Sequence, residues 1–284
     1  MPVSNKLFVI FMSCENLEGR PQTLRPFGLT KPELARLSFV SLWKALNASQ
    51  MRWKLVVEDN SSSPEFRKWM QTFYGGRGKD KITGNRMPVD IFPIVKYADR
   101  NLQKIVGKMD VKDDDWVFFA EDDHLYTGDC LWLMREFANI YGAEDFALVP
   151  YVQTFKLWFL LGERQIGPQV IQPGMASIAA AMKHERPRLV LRTPLSHWMQ
   201  VWHANGTLLA RAGLLRKWWS KHPEGLTHAV TSSIFETTPC FAPIPSLSTH
   251  LQEGCESPGF TQKMAQEWLY CLGRTAHDGP EVEP

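Results

Sequence analysis

The chain has 284 residues, 44% hydrophobic and 22% charged, which excludes a disordered or fibrous protein and leaves a globular one with a sizeable core. The 32 basic and 30 acidic side chains leave a net charge of +2, so charge alone does not announce a nucleic-acid binder. Five cysteines, Cys14, Cys130, Cys240, Cys255 and Cys271, are odd in number and lack CxxC spacing; they support neither a disulfide framework nor a zinc site, and a reducing compartment is expected.

Lys6 to Met12 reads as a first buried strand, and its run LFVIFM is too short for a signal peptide. No run approaches the ~18 apolar residues of a membrane helix. A cytoplasmic, unanchored protein is therefore expected. After SCEN and a Gly- and Pro-punctuated loop, Thr30-Lys-Pro-Glu33 signals a helix start, followed by Leu34, Leu37, Val40, Trp43 and Leu46 at helical spacing.

Trp53 to Val57 is a second apolar strand, ending in Glu58, Asp59, Asn60 and three serines before Pro64. Ser63 caps a helix that stops at Gly75-Gly76. A carboxylate and a short turn between strand and helix can accept hydrogen bonds from a nucleoside, and helix capping by Asn60 or Ser63 explains the same residues. A basic loop over residues 77 to 90, a strand at Val89 to Val95, a helix from Ala98 to Met109 and a solvated KDDD turn, Lys112 to Asp115, come next.

WVFFAEDDHLY, Trp116 to Tyr126, is the most informative stretch. Five apolar residues without alternation suit a strand buried on both faces. Glu121, Asp122 and Asp123 then fall at its carboxyl end, where open α/β sheets bind ligands. Crowded carboxylates repel one another unless a cation relieves them, and such groups hold Mg2+ or Mn2+. His124 could be a metal ligand, but a cleft-wall or core residue is the expectation, because adjacent side chains on an extended segment point apart. A helix capped by Asp129 and closed at Gly142, and a strand at Phe146 to Pro150, complete the alternation.

Beyond Pro150 the rhythm breaks. The readable pieces are a strand at Arg188 to Arg192, a basic helix containing Trp218 and Trp219, a helix near Leu226 to Phe235, Pro-rich FAPIPSLSTH, and a C-terminal amphipathic helix before a tail. The expected fold class is α/β, an α/β/α sandwich with a mainly parallel sheet. Residues 1–150 are expected to form its nucleotide-type α/β half, and residues 151–284 a less regular half continuous with the same domain.

In VVEDNSS after the second strand, EDD after the later strand and a late TH, the chain resembles the GT-A class of nucleotide-sugar-dependent glycosyltransferases, soluble bacterial and phage members included. The resemblance implies that Asp59, with Glu58 beside it, binds the nucleoside. It makes Glu121, Asp122 and Asp123 a variant of the DxD motif, with Asp123 a direct metal ligand and His250 completing the site. Glu224 stands near where such enzymes place a general base; Glu236 and Glu253 compete with it. Arg100 is a candidate for the diphosphate, and Trp198, Trp202 and Trp218 for stacking on the acceptor.

The implied activity is transfer from a UDP-linked sugar to a hydroxyl, with Mn2+ or Mg2+ as cofactor and a glycan as acceptor. Alternatively, the acceptor is a hydroxymethylated pyrimidine in DNA, for which Lys183 to Arg192 and Arg216 to His222 supply basic and aromatic groups. Two other classes stay open: a nucleotidyltransferase, although acidic SCENLEG is unlike its Gly-rich basic signature, and a non-catalytic nucleotide-binding module.

Overall fold

Strands β1 (Lys6–Ser13) and β4 (Trp116–Glu121) lie parallel and adjacent in register, from Leu7 opposite Trp116 to Met12 opposite Glu121. The computed structural model describes residues 6–13, 31–60, 62–77, 90–94, 99–142, 145–151, 190–202, 204, 206–223, 225–226, 228–244 and 246–250. On the other side of β1 run β2 (Arg52–Asn60) and then β3 (Asp90–Ile94), both parallel to it.

Why these strands show no alternation is visible in the two cores. Leu7, Val9, Phe11 and Phe118 pack toward α1 (Lys31–Ala48), α2 (Pro64–Arg77) and α4 (Cys130–Tyr141), through Phe39, Leu42, Phe66 and Phe137. Phe8, Ile10, Val117 and Phe119 face the other way, toward α3 (Asp99–Lys108), α5 (Ala212–Lys221) and α6 (His228–Ile234), through Ile105, Leu215, Trp219 and Ile234. A strand covered on both faces needs apolar residues at every position. The result is an α/β/α sandwich, as the sequence leads one to expect. α4 ends where Gly142 adopts φ 66°, the left-handed cap that glycine takes without a Cβ clash, and its N–H returns to Ala138 O.

The described residues form one nine-stranded sheet in the order β3-β2-β1-β4-β9-β6-β10-β8-β7. Its second half uses β6 (Ala147–Leu148), β7 (Val190–Arg192), β8 (His197–Gln200), β9 (Leu208–Arg211) and β10 (Cys240–Ile244). Here the pairing is mixed: β9 runs antiparallel to β4 and β6, and β8 antiparallel to β10 and β7, while β6 and β10 are parallel. The late chain thus completes the sheet begun by the early chain.

FAPIP shows no sequence sign of being a strand because of its prolines, yet it supplies β10. The carbonyl of Phe241 accepts from Val149 on the β6 side, and Pro243, two residues on, turns its donorless nitrogen to that same side beyond the end of β6. There it removes no ladder hydrogen bond. No described helix is long and apolar enough to cross a membrane. Cys130 and Cys240 are buried free thiols.

Candidate metal centre

The carboxyl ends of β2, β1 and β4 form a row in which Met12 stands opposite both Glu58 and Glu121. β4 stops at Glu121 because Asp122 and Asp123 turn the chain into a short strand, β5 (His124–Tyr126). Helix α1 holds that turn from one side. Ser38 Oγ donates to the Glu121 carbonyl at 2.9 Å, and Ser41 Oγ accepts from the Tyr126 N–H at 3.1 Å. Lys31, the first residue of α1, reaches Asp122 Oδ1 at 2.5 Å, which commits that carboxylate to a cation of the chain itself.

A second sheet brings the late chain to the same place. β11 (Ser248–His250) pairs antiparallel with β5, setting His250 opposite His124. It is seated by Leu247, whose N–H donates to Pro150 O at 2.8 Å and whose carbonyl accepts from Thr127 N at 2.9 Å. His250 Nε2 then lies 3.2 Å from Asp123 Oδ2, and the imidazoles of His124 and His250 stack with centroids 4.9 Å apart. One ligand atom from each of Asp123, His124 and His250 lies within 4.8 Å of the others. His124 is buried, as a core residue is expected to be, and it also stands with Asp123 and His250. The expectation that it points away from Asp123 assumes an extended segment, and the turn at Asp122 and Asp123 removes that premise.

His124 is 0% exposed, and neither ring nitrogen makes a hydrogen bond. Nε2 sits 3.2 Å from Glu121 Oε2, and Tyr151 packs edge-on at 4.8 Å. Burying an imidazole in this state costs about 1–3 kcal/mol unless something else engages it. Glu121 is itself fixed, its Oε2 accepting from Thr207 Oγ1 at 3.1 Å. Its Oε1 fills the space where a Cβ on Gly206 would stand, 2.4 Å away, so close approach requires glycine there.

Burial raises the pKa of Asp123, but the hydrogen bond and charge of His250, with Lys31 and His124 adding theirs, hold the carboxyl well below the usual range. It is a permanent anion at neutral pH. Burial, reinforced by the charge of Glu121, pushes the Tyr126 phenol up, so it stays a neutral donor to the Glu121 carbonyl. Burial likewise keeps the Cys130 thiol protonated and inert.

The remaining candidates are placed as follows. Asp59 is buried at the end of β2, its Oδ2 2.5 Å from Arg67 Nε and its Oδ1 accepting from Ser62 N at 3.3 Å. Ser63 Oγ accepts from Phe66 N and caps α2. Glu58 is 1% exposed on the opposite face. The backbone of Arg100 lies in the first turn of α3, and its side chain is outside the described residues, as are Glu224 and Glu253. Glu236 is exposed.

Two of the three tryptophans run against the acceptor expectation. Trp198 is 0% exposed with its ring 4.4 Å from Phe137, and Trp218 is 5% exposed against Phe235. Both are core residues, with no face open to an acceptor. Trp202, just beyond β8, is half-buried. In the basic segment of α5, Arg216 pairs with Asp113 and Lys217 with Asp145 at 3.0 Å, and Trp219 is buried too. Of Lys183 to Arg192, only residues 190–192 are described.

Sequence reasoning passes over Lys31, Ser38, Ser41 and Thr207, all of which hold the acidic turn. The one available signal is a pair of serines, three apart, on the apolar stripe of α1.

No protein-family model matches the chain, and no curated protein matches it. Several solved structures are similar to it in fold. A chain of S. aureus TarS 1-349 is 10% identical with a TM-score of 0.42, over 84% of this chain and 57% of that one. The 4-diphosphocytidyl-2C-methyl-D-erythritol synthase of Anaerococcus prevotii is 9% identical with a TM-score of 0.43, over 96% and 98%. The galactosyltransferase LgtC, in complex with donor and acceptor sugar analogues, is 10% identical with a TM-score of 0.39, over 83% and 72%. The chain spans little more than half the length of TarS 1-349.

Proposed function

We propose that the chain is a divalent-cation-dependent glycosyltransferase that moves a sugar from a nucleoside-diphosphate sugar, UDP-linked, to an acceptor hydroxyl. The observation that carries this reading is the convergence of Asp123, His124 and His250 within 4.8 Å, beside Glu121 and Asp122 at the carboxyl end of β4. A buried imidazole with no hydrogen bond, facing a carboxylate of depressed pKa and a second imidazole, is a donor set that fits a divalent ion.

Asp123 and His250 would hold the ion. Bound there, it supplies positive charge against the charge that develops on a departing nucleoside diphosphate. Lys31 holds Asp122 and keeps the turn compact while leaving Asp123 to the metal. At the end of β2, Asp59 fixes Arg67 Nε, so we assign nucleoside contact to the Asp59–Arg67 pair rather than to a bare carboxylate. The acceptor is assigned no more finely than a hydroxyl compound: of the basic residues of α5, Arg216 and Lys217 are already paired, which leaves Lys221 as the one in that helix outside those pairs and a small footprint for phosphates.

The test is incubation of the full chain with a panel of nucleotide sugars, Mn2+ and hydroxyl acceptors, followed by mass spectrometry. Nucleoside diphosphate released together with a glycosylated product is the expected result. Pyrophosphate released from a nucleoside triphosphate would instead establish nucleotidyl transfer and overturn the reading.

A further inference from the structure

A carboxylate and one histidine are a common minimum for a divalent ion, and Mg2+ tolerates that set poorly but acceptably. The third group here changes the chemistry. His124 is fully buried, neither of its nitrogens is hydrogen-bonded, and its ring stacks on His250 across the β5–β11 pair. Backbone register, rather than a flexible loop, sets the two imidazoles side by side. The Glu121 carboxylate, 3.2 Å from His124 Nε2, is fixed in turn by Thr207 and by the missing Cβ of Gly206. A carboxylate that accepts from the other nitrogen of a ligating histidine is the usual means of orienting such a ring, and Glu121 Oε2 stands within reach of Nε2 without making that hydrogen bond.

We propose that His124 is a third protein ligand of this site, oriented by Glu121, so that the centre is a two-imidazole, one-carboxylate set that takes a first-row transition ion in preference to Mg2+ or Ca2+. The inference deepens the reading above and rests on it for Asp123 and His250. Two neutral nitrogen donors favour ions that accept imidazole, whereas Mg2+ and Ca2+ are held by oxygen. Glu121 is then a positioning residue, and the second acid of the cluster, Asp122, lies outside the ligand set because Lys31 occupies it.

Metal binding by the full chain, without substrate, tests this. Calorimetric titration with Mn2+ and with Mg2+ should give one site with Mn2+ at least about tenfold tighter, and His124→Gln or Glu121→Gln should weaken Mn2+ by about 10–100-fold. Because His124 is buried and its variants are at risk of misfolding, spin-echo modulation of Mn2+ bound to the unaltered chain provides a second readout. Two coordinated imidazole nitrogens are expected; one imidazole, equal affinity for Mg2+ and Mn2+, or no Mn2+ binding would each overturn the proposal. A chain that binds Mn2+ through two imidazoles yet transfers no sugar keeps this inference and removes the transferase reading. Sugar transfer with a single imidazole on Mn2+ does the reverse.

Discussion

Asp123 Oδ2 lies 3.2 Å from His250 Nε2, although one residue belongs to the turn after β4 and the other to the last described strand. The contact exists because β11 adds to β5 in a register that sets His250 opposite His124. Removing the carboxylate should leave this backbone framework intact. Asp123→Ala is therefore expected to lower sugar transfer by at least about 100-fold, the scale of losing one electrostatic group at a reacting charge, with an unchanged circular dichroism spectrum. Activity within a few-fold of the parent would remove Asp123 from the site.

The same carboxylate should show in the acid stability of the metal-free chain. Its pKa in the folded state is depressed, so its contribution is present above the unfolded value, near pH 4, and is lost as pH falls below that toward the folded value. Urea midpoints measured with chelator from about pH 6 down to about pH 2 should fall more steeply for the parent than for Asp123→Asn. Parallel curves would contradict the pairing with His250.

Gly206→Ala would place a Cβ 2.4 Å from Glu121 Oε1. The carboxylate has to shift away from Gly206, which disturbs its place beside His124, and the overpacking is expected to cost about 1–3 kcal/mol in urea denaturation. An unchanged midpoint would show that Glu121 is loosely held.

Ser41→Ala removes the acceptor of the buried Tyr126 N–H, at the end of β5. An unsatisfied buried donor costs about 1–3 kcal/mol, and the effect should extend to metal affinity, because the β5–β11 pair holds both imidazoles. Calorimetry on a folded Ser41→Ala chain that showed full metal affinity would confine the serine to a packing role.

Trp198→Ala discriminates core from acceptor binding. A fully buried indole packed on Phe137 should cost about 3–5 kcal/mol on truncation. A variant of near-parent stability with an altered acceptor KM would return Trp198 to the acceptor site.

Much of this protein can be read from local pattern. Unbroken apolar runs at Leu7–Met12 and Trp116–Ala120 demand cover on both faces and hence a layered α/β sheet, and they put Glu121, Asp122 and Asp123 at a strand end. Thr30 to Glu33, Pro64 and Gly142 mark helix ends through capping chemistry that depends on a few neighbouring residues.

Tertiary structure decided what local pattern cannot carry. The strand expected at Arg188 to Arg192 is present as β7, but β8 to β10 are strands of four or five residues, too short for a period to show, and they exist because the early sheet offers them an edge. By local chemistry the three acids look alike and only the resemblance singles out Asp123; packing gives them different partners: Glu121 takes Thr207 and lies against His124, Asp122 takes Lys31, and Asp123 takes His250. His124 reads as a bystander until the turn before it and the strand opposite it are known. Sequence thus determined where negative charge collects, because an apolar run covered on both faces gives way to polar residues at the end of its strand. That Asp123 faces His250 while Asp122 is taken by Lys31, and that His124 lies beside them, depended on side chains brought together from distant parts of the chain, a relation no local spacing records.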